Sequence, residues 1–206
     1  MAIQFYCGSG SPYAWRVWLA LEHKALPFEV RMMSFSAGDL AAPEYGAINP
    51  RRKVPAIVDD GFALYESAAI LDYLDEAYPG SGAPLYPREV QARSRARRLV
   101  CEADAYLGPA LEELVEELLF KKPDDWDPEA ITEARAGLGR ELDRFEGELA
   151  GDFFAGEAGA VDFSVYPMLA LALRLQSAKK PDLAISEAMI GVRGRSACTE
   201  SYTAGL

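Results

Sequence analysis

Every strand-like pattern in this 206-residue chain lies before Pro79-Gly80, and only helical spacing follows it. A chain divided in this way cannot spread one sheet over its whole length, so it must build a small α/β half and a separate helical half. The α/β half is dense with signals. A β-prone run, Ile3-Gln4-Phe5-Tyr6-Cys7, ends in Gly8-Ser9-Gly10, and a helix pattern starts at once with Ser11-Pro12. Serine is a preferred N-cap and proline suits the first helical position. Val17, Trp18, Leu21 and Ala25 then recur at helical spacing. Phe28 to Met32 alternates as a second strand, closing a βαβ unit that the right-handed crossover rule makes parallel. A polar connection containing Gly and Pro, Ser34 to Lys53, follows. Val54 to Val58 and Phe62 to Tyr65 flank Asp59-Asp60-Gly61, a β-hairpin signal. Glu66-Ser67 opens a helix whose Ala69, Ile70, Tyr73, Leu74 and Ala77 share a face.

Pro84 and Pro87 punctuate a linker at 81–88. Helices are predicted beyond it over 88–120, 128–150, 159–177 and 182–193, broken by Lys121-Lys122-Pro123, Gly151 and Lys180-Pro181. The predicted organisation is therefore a βαβ-ββα domain over residues 1–80, a linker over 81–88, and an all-helical domain over 89–206. The last stretch, Gly191 to Leu206, is rich in small and polar residues and reads as a mobile tail.

Charge and composition exclude several functions. The 21 Lys and Arg against 32 Asp and Glu give a formal charge of −11, which repels a phosphate backbone and argues against nucleic-acid binding. The basic cluster Arg93, Arg95, Arg97 and Arg98 has acidic neighbours and reads as local pairing or an interface. Cys7, Cys101 and Cys198 lack CxxC spacing, so neither a disulfide framework nor a zinc ribbon is expected. Cys7 reads as a small buried apolar residue. His23 is the sole histidine and reads as a helix-surface residue; most His-based metal sites and Ser-His-Asp triads are thereby excluded. Asp124, Asp125 and Asp127 lack the full calcium-loop pattern and read as a solvated loop. No metal is expected. The first six residues have no basic, leader-like pattern, and Tyr166 to Leu175 is too short to span a bilayer, so a soluble cytoplasmic protein is expected.

Taken in order, Ser11-Pro12-Tyr13-Ala14-Trp15-Arg16-Val17, Val54-Pro55 before a hairpin, Glu66-Ser67 opening a helix, and the all-helical second half resemble the cytosolic glutathione S-transferases. The likeness covers nearly the whole chain and is strongest over residues 1–80. The Ser-type bacterial, theta-like and zeta-like branches look most similar, because Ser11 lies six positions before Val17. The resemblance implies a thioredoxin-like N-terminal domain followed by a C-terminal helical bundle, and a homodimer.

It also implies residue roles. Ser11 would donate its hydroxyl to the glutathione sulfur, with Ser9 as second choice; Tyr6 and Tyr13 are further hydroxyls nearby. Members with cysteine at this position do disulfide-exchange chemistry, which Ser11 disfavours here. Val54 and a cis Pro55 would align backbone groups with the cysteinyl part of glutathione, whereas read without the family Pro55 is an edge-strand proline with a trans bond. Glu66 and Ser67 match the clamp for the γ-glutamyl group, although a helix start with an acidic first turn explains them equally well. Lys53 would meet the glycyl carboxylate, with Arg52 or Arg51 as substitutes. Arg52 stands where a glycine is frequent. Asp162, three residues after Gly159, falls on an N-capping motif of a core helix. Tyr106, Leu107 and Phe120 would line the electrophile pocket, although aromatics at helical spacing are more often core.

The chemistry needs a thiolate, and a free cysteine thiol has a pKa of about 8.5, which helix N-termini lower. Ser11 as a plain N-cap is worth about 1 kcal/mol to its helix. The expected activity is conjugation of the glutathione thiolate to small hydrophobic electrophiles, with glutathione as cosubstrate and no tightly bound cofactor. The alternatives are a glutathione-dependent isomerase or dehalogenase of the same fold, or a non-catalytic binding and interaction module.

Overall fold

In the computed structural model, residues 2–179 are described. Within them the chain divides into two units, one up to Arg88 and the other from Glu89. The predicted helix over 182–193, the tail from Gly191 and Cys198 lie outside the described residues.

The first unit is built on four strands: β1 (Ile3–Cys7), β2 (Phe28–Met32), β3 (Ala56–Asp59) and β4 (Phe62–Tyr65). They lie in the order β2-β1-β3-β4. β1 runs parallel to β2, with Ile3 opposite Phe28, and antiparallel to β3, with Phe5 opposite Ile57. Because side chains alternate across a strand, β1 buries Ile3, Phe5 and Cys7 on one face. Phe5 meets Trp18 and Phe28 edge-on at 5.8 and 6.1 Å between ring centroids. The β3–β4 turn places Asp60 at φ 47° and Gly61 at φ 85°, the pair of positive values that a two-residue hairpin loop demands.

Two helices pack on each other beside this sheet, α1 (Pro12–His23), and a later one that follows β4, over Ser67–Ala77. Between β2 and β3 the expected plain connection holds a 3₁₀ turn at Asp39–Ala41 and a short helix, α2 (Pro43–Ile48); the helix at Ser67–Ala77 is accordingly α3. Six residues burying only Tyr45 leave no periodicity to read, which is why α2 escapes the sequence pattern. The resulting βαβ-ββα order, with α2 inserted, is a thioredoxin-like domain.

Three helix-face assignments change. Ala25 is not on the buried face of α1 but follows its end at φ 49°, where the Ala25 and Leu26 N–H groups donate to the Glu22 and Leu21 carbonyls at 2.9 and 3.1 Å. This is a left-handed C-terminal cap carried by alanine rather than glycine. Ala69 and Ala77 are exposed, and α3 instead buries Ser67, Ile70, Leu71 and Leu74. His23 is partly covered, in the last turn of α1. Residues 81–88 pack on this unit: Leu85 and Tyr86 are buried, and the Leu85 N–H donates to Asp75 at 2.7 Å. Gly82 lies so close to the end of α1 that a Cβ there would sit 2.4 Å from the His23 carbonyl oxygen.

The second unit is helical throughout its described length. α4 (Val90–Glu102) and α5 (Gly108–Val115) are each continued by a π-helical turn, at Ala103–Leu107 and Glu116–Phe120. α6 (Pro128–Gly147) and α7 (Ala160–Lys179) follow. Glu89 caps α4 by accepting from the Gln91 and Ala92 N–H groups, and Asp127 caps α6 by accepting from Glu129 and Ala130. Asp127 is therefore a cap rather than part of a merely solvated loop. In the basic cluster, Arg98 pairs with Glu148 at 2.7 Å and with Glu102 at 3.6 Å, which is local pairing.

Residues 160–169 of α7 are buried almost all round, as suits a helix through the middle of a bundle. Asp162, fully buried, accepts from the N–H of Gly159 at 3.0 Å and of Phe154 at 3.3 Å. The carboxylate thus satisfies backbone donors that the apolar interior would otherwise strand. No helix of the described residues is long and apolar enough to cross a membrane.

Candidate functional site

The sequence-predicted residues of the first unit lie on three segments: the turn into α1, the residues just ahead of β3 and the start of α3. After β1 the chain turns tightly, with Gly10 at φ 84° and the Ser11 N–H donating to the Gly8 carbonyl at 3.2 Å. Ser11 then caps α1: its backbone is extended, and its Oγ accepts from the Ala14 N–H at 3.2 Å. The hydroxyl oxygen is used as an acceptor, so the hydroxyl proton is left to give to another group. Ser11 is half-buried, whereas Ser9 stands exposed in the turn. Tyr6 already donates its hydroxyl to Gln4 Oε1 at 3.1 Å. Tyr13 is half-buried in the first turn of α1. Cys7 is 1% exposed with its thiol 3.9 Å from the Met32 sulfur, and burial pushes its pKa up to about 11. It is a packed thiol, as expected, and not a thiolate at neutral pH.

The second segment lies just ahead of β3. The Val54-Pro55 bond is cis, with Pro55 buried and Val54 half-buried. The Lys53 carbonyl accepts from the Tyr45 hydroxyl at 2.5 Å and from Asn49 Nδ2 at 2.7 Å, while the Lys53 side chain is exposed. Tyr45 and Asn49 are both buried, and burial is the main reason the Tyr45 phenol is pushed up to about 12. Arg52 takes φ 54°, in the left-handed region that favours glycine. Its Nη1 donates to the carbonyls of Leu40, Ala41 and Ala42. That Nη1 is committed to the backbone ahead of α2, and Arg51, Arg52 and Lys53 are all exposed.

The third segment is the start of α3. Glu66 has φ 70° and ψ 107°, and caps α3 through its carbonyl, which accepts from Ile70 at 2.9 Å, while its exposed carboxylate makes no capping bond. Ser67 is 6% exposed, and its Oγ accepts from Arg16 Nη1 at 3.0 Å. Arg16 itself is fully buried and was not singled out from the sequence. The signal was present: Arg16 precedes the buried Leu19 and Ala20 by three and four residues, which puts an arginine on the apolar face of α1.

In the helical unit, Tyr106 and Phe120 are 58% and 75% exposed, while Leu107 is 1% exposed. Both aromatics depart from the core reading that helical spacing favours, and all three residues fall in the two π-helical turns. Among the described residues, no group of His, Cys, Asp and Glu is placed to hold a metal ion. The chemistry available in the first unit is anion recognition: two helices of more than eight residues present N-termini, one with the Ser11 hydroxyl and one with Glu66 and Ser67.

Residues 10–77 match the family model described as Glutathione S-transferase, N-terminal domain. The chain is 30% identical over 152 residues to glutathione S-transferase F13 of Arabidopsis thaliana, a match covering 72% of this chain and 69% of that protein. It is 38% identical over 92 residues to the probable maleylacetoacetate isomerase 2 of Drosophila melanogaster, covering 44% of this chain and 40% of the relative. Against several relatives the match spans well under two thirds of their length, from 40% to 58%. Among solved structures, a glutathione transferase of Burkholderia graminis with two glutathione molecules bound per subunit superposes with a TM-score of 0.82 at 25% identity, over 99% of this chain and 87% of that one.

Proposed function

The chain belongs to the glutathione S-transferase family, and from that premise we propose that it conjugates the glutathione thiolate to small hydrophobic electrophiles. The observation that carries this reading is Ser11: a half-buried hydroxyl at a helix N-terminus whose oxygen accepts from Ala14 and whose proton remains to donate. A sulfur anion placed there gains the Ser11 hydrogen bond and the positive end of α1, both of which favour the ionised form. The thiol proton passes to solvent, the sulfur lone pair forms the new S–C bond, and the electrophile's leaving group or π-bond takes the displaced electron pair. Ser11 does not change charge.

Glutathione binding falls to the three segments. Val54 and Pro55 supply backbone to the cysteinyl part, Glu66 meets the γ-glutamyl ammonium, and Ser67 with the α3 amides meets its carboxylate. Lys53 takes the glycyl carboxylate, with Arg51 as its substitute ahead of Arg52, whose Nη1 already donates to three carbonyls. In the helical unit, Tyr106, Leu107 and Phe120 are assigned to the electrophile. The reading includes a homodimer and a reducing cytoplasmic setting, in keeping with free Cys7 and Cys101. Glutathione is the cosubstrate, with no tightly bound cofactor.

The similarity to a maleylacetoacetate isomerase favours a second reading, glutathione-dependent isomerisation at the same thiolate. There the sulfur adds to a double bond and is expelled again, so no conjugate accumulates. Product analysis separates the two.

The deciding test is a pH titration of thiolate ultraviolet absorbance for glutathione bound to wild type and to Ser11→Ala, with binding followed by calorimetry. The bound thiol should ionise well below the free value of about 8.5 in wild type and return toward it in Ser11→Ala. Conjugation should fall about 100-fold, the scale of removing one aligned donor from a developing anion. Unchanged turnover in Ser11→Ala moves the assignment to Ser9, and a wild-type chain that does not bind glutathione defeats the transferase reading in favour of a non-catalytic interaction module.

A further inference from the structure

A guanidinium sealed from solvent lies between the first turns of two helices in the thioredoxin-like unit. Arg16 is 0% exposed, its Cζ stands 5.5 Å from the centre of the Tyr13 ring at the start of α1, and its Nη1 reaches Ser67 Oγ at the start of α3 at 3.0 Å. A dehydrated cation is costly wherever it is placed, and more so beside the positive ends of helices. Packing alone does not call for one here, since the neighbouring buried positions of α1 are filled by Ala14, Val17, Leu19, Ala20 and Leu21.

The direction of the Arg16–Ser67 bond carries the argument. A guanidinium has donors and no acceptor, so Ser67 Oγ must be the acceptor and its own hydrogen must turn away from Arg16. The hydroxyl is thereby fixed as a donor toward whatever lies beyond it, and a donor polarised by a cation is a stronger one. Such a group suits an acceptor, an anionic carboxylate most of all, and is poorly matched to a cationic group. We propose that Arg16 is a positioning residue which, acting through Ser67, makes the N-terminus of α3 selective for a carboxylate. This rests on the reading that Ser67 meets the γ-glutamyl carboxylate of glutathione, and it assigns that selectivity to a residue of α1 that need not touch the ligand.

Calorimetry on the full chain tests it with two probes, glutathione and the peptide γ-aminobutyryl-cysteinyl-glycine, which lacks only that carboxylate. Wild type should bind glutathione at least tenfold more tightly. Folded Arg16→Lys should compress the ratio to about threefold or less through weaker glutathione binding, with affinity for the truncated peptide and kcat at saturating glutathione within twofold of wild type. A merely structural role for Arg16 would weaken both peptides alike, leave the ratio intact and overturn the inference. A second comparison avoids leaving Ser67 beside a lost partner: Ser67→Ala should compress the ratio as Arg16→Lys does, and Arg16→Met added to Ser67→Ala should change it less than twofold further. A further tenfold loss in that double variant would show that Arg16 acts other than through Ser67. A wild-type chain that binds both peptides equally overturns the inference while the transferase reading stands. One that binds neither overturns both.

Discussion

The two units solve the problem of folding in opposite ways. In the thioredoxin-like unit, strands and α-helices of 4 to 12 residues are joined through unusual backbone: among the described residues, all four non-glycine residues with positive φ, Ala25, Arg52, Asp60 and Glu66, lie before residue 70. The helical unit has none of these and relies on long helices, the buried α7 and a few buried polar groups such as Asp162. Strained backbone persists only where surrounding structure over-determines it, and it concentrates where a ligand must be met. Here Arg52 sits next to a proposed binding residue and Glu66 is one. Ala25 and Asp60 are neither, so positive φ marks tight connections as well as sites.

The contrast can be broken most directly in the helical unit. Asp162→Ala leaves the Phe154 and Gly159 N–H groups buried without their acceptor, and should cost about 4 kcal/mol at about 1 to 3 kcal/mol per orphaned donor. Urea denaturation reads the loss; a cost below about 1 kcal/mol would mean that water replaces the carboxylate.

Alkali should act on the thioredoxin-like unit instead. Tyr45, Tyr73 and Tyr78 are each pushed up to about 12, Tyr45 and Tyr73 chiefly by burial and Tyr78 chiefly by its hydrogen bond to Asp59. An unfolded tyrosine ionises near 10, so these groups contribute stability that is fully present below about pH 10 and is lost as pH rises from about 10 toward 12. Melting curves with tyrosinate absorbance should show Tm falling through that window. A flat Tm would remove the tyrosine contribution.

Glu66→Gly sharpens the distinction between strain and function at one residue. Glycine adopts positive φ more readily than glutamate, so the variant should stay within about 1 kcal/mol of wild-type stability while glutathione affinity falls about tenfold with loss of the carboxylate, a charge-assisted bond worth about 1.5 kcal/mol. Unchanged affinity would reduce Glu66 to a helix-start residue. The smallest effect belongs to Ala25→Gly, which relieves a left-handed alanine at the C-terminal end of α1, outside the proposed contacts, and should stabilise the chain by about 0.5 kcal/mol with no change in binding. Equilibrium denaturation and calorimetry together read both variants.

Much of the local structure that carries the proposed site was legible, because local chemistry announces it. Ser11-Pro12 reads as a helix start from residue preference alone, and Asp60-Gly61 reads as a hairpin turn, since both depend on neighbours in the chain. Arg16 was missed because a periodicity reading scans for apolar residues and passes over a charge in the same stripe. The use of Arg52 was equally hidden: its partners Leu40, Ala41 and Ala42 lie 10 to 12 residues away in a segment that reads as a plain connection.

By itself the sequence determined the division into an α/β half and a helical half, the order of the four strands and two longer helices of the first, and the positions of the Ser11 cap and the hairpin. These follow from periods of 2 and 3.6 and from residues whose preferences act within a few positions. Only the tertiary structure decided that Arg16 donates to Ser67, that Arg52 donates to the backbone ahead of α2, and that Tyr106 and Phe120 face outward while Leu107 does not. Hydrogen bonds between residues 51 positions apart, and the choice of which side of a helix is covered, depend on how elements pack, and local sequence does not encode that packing.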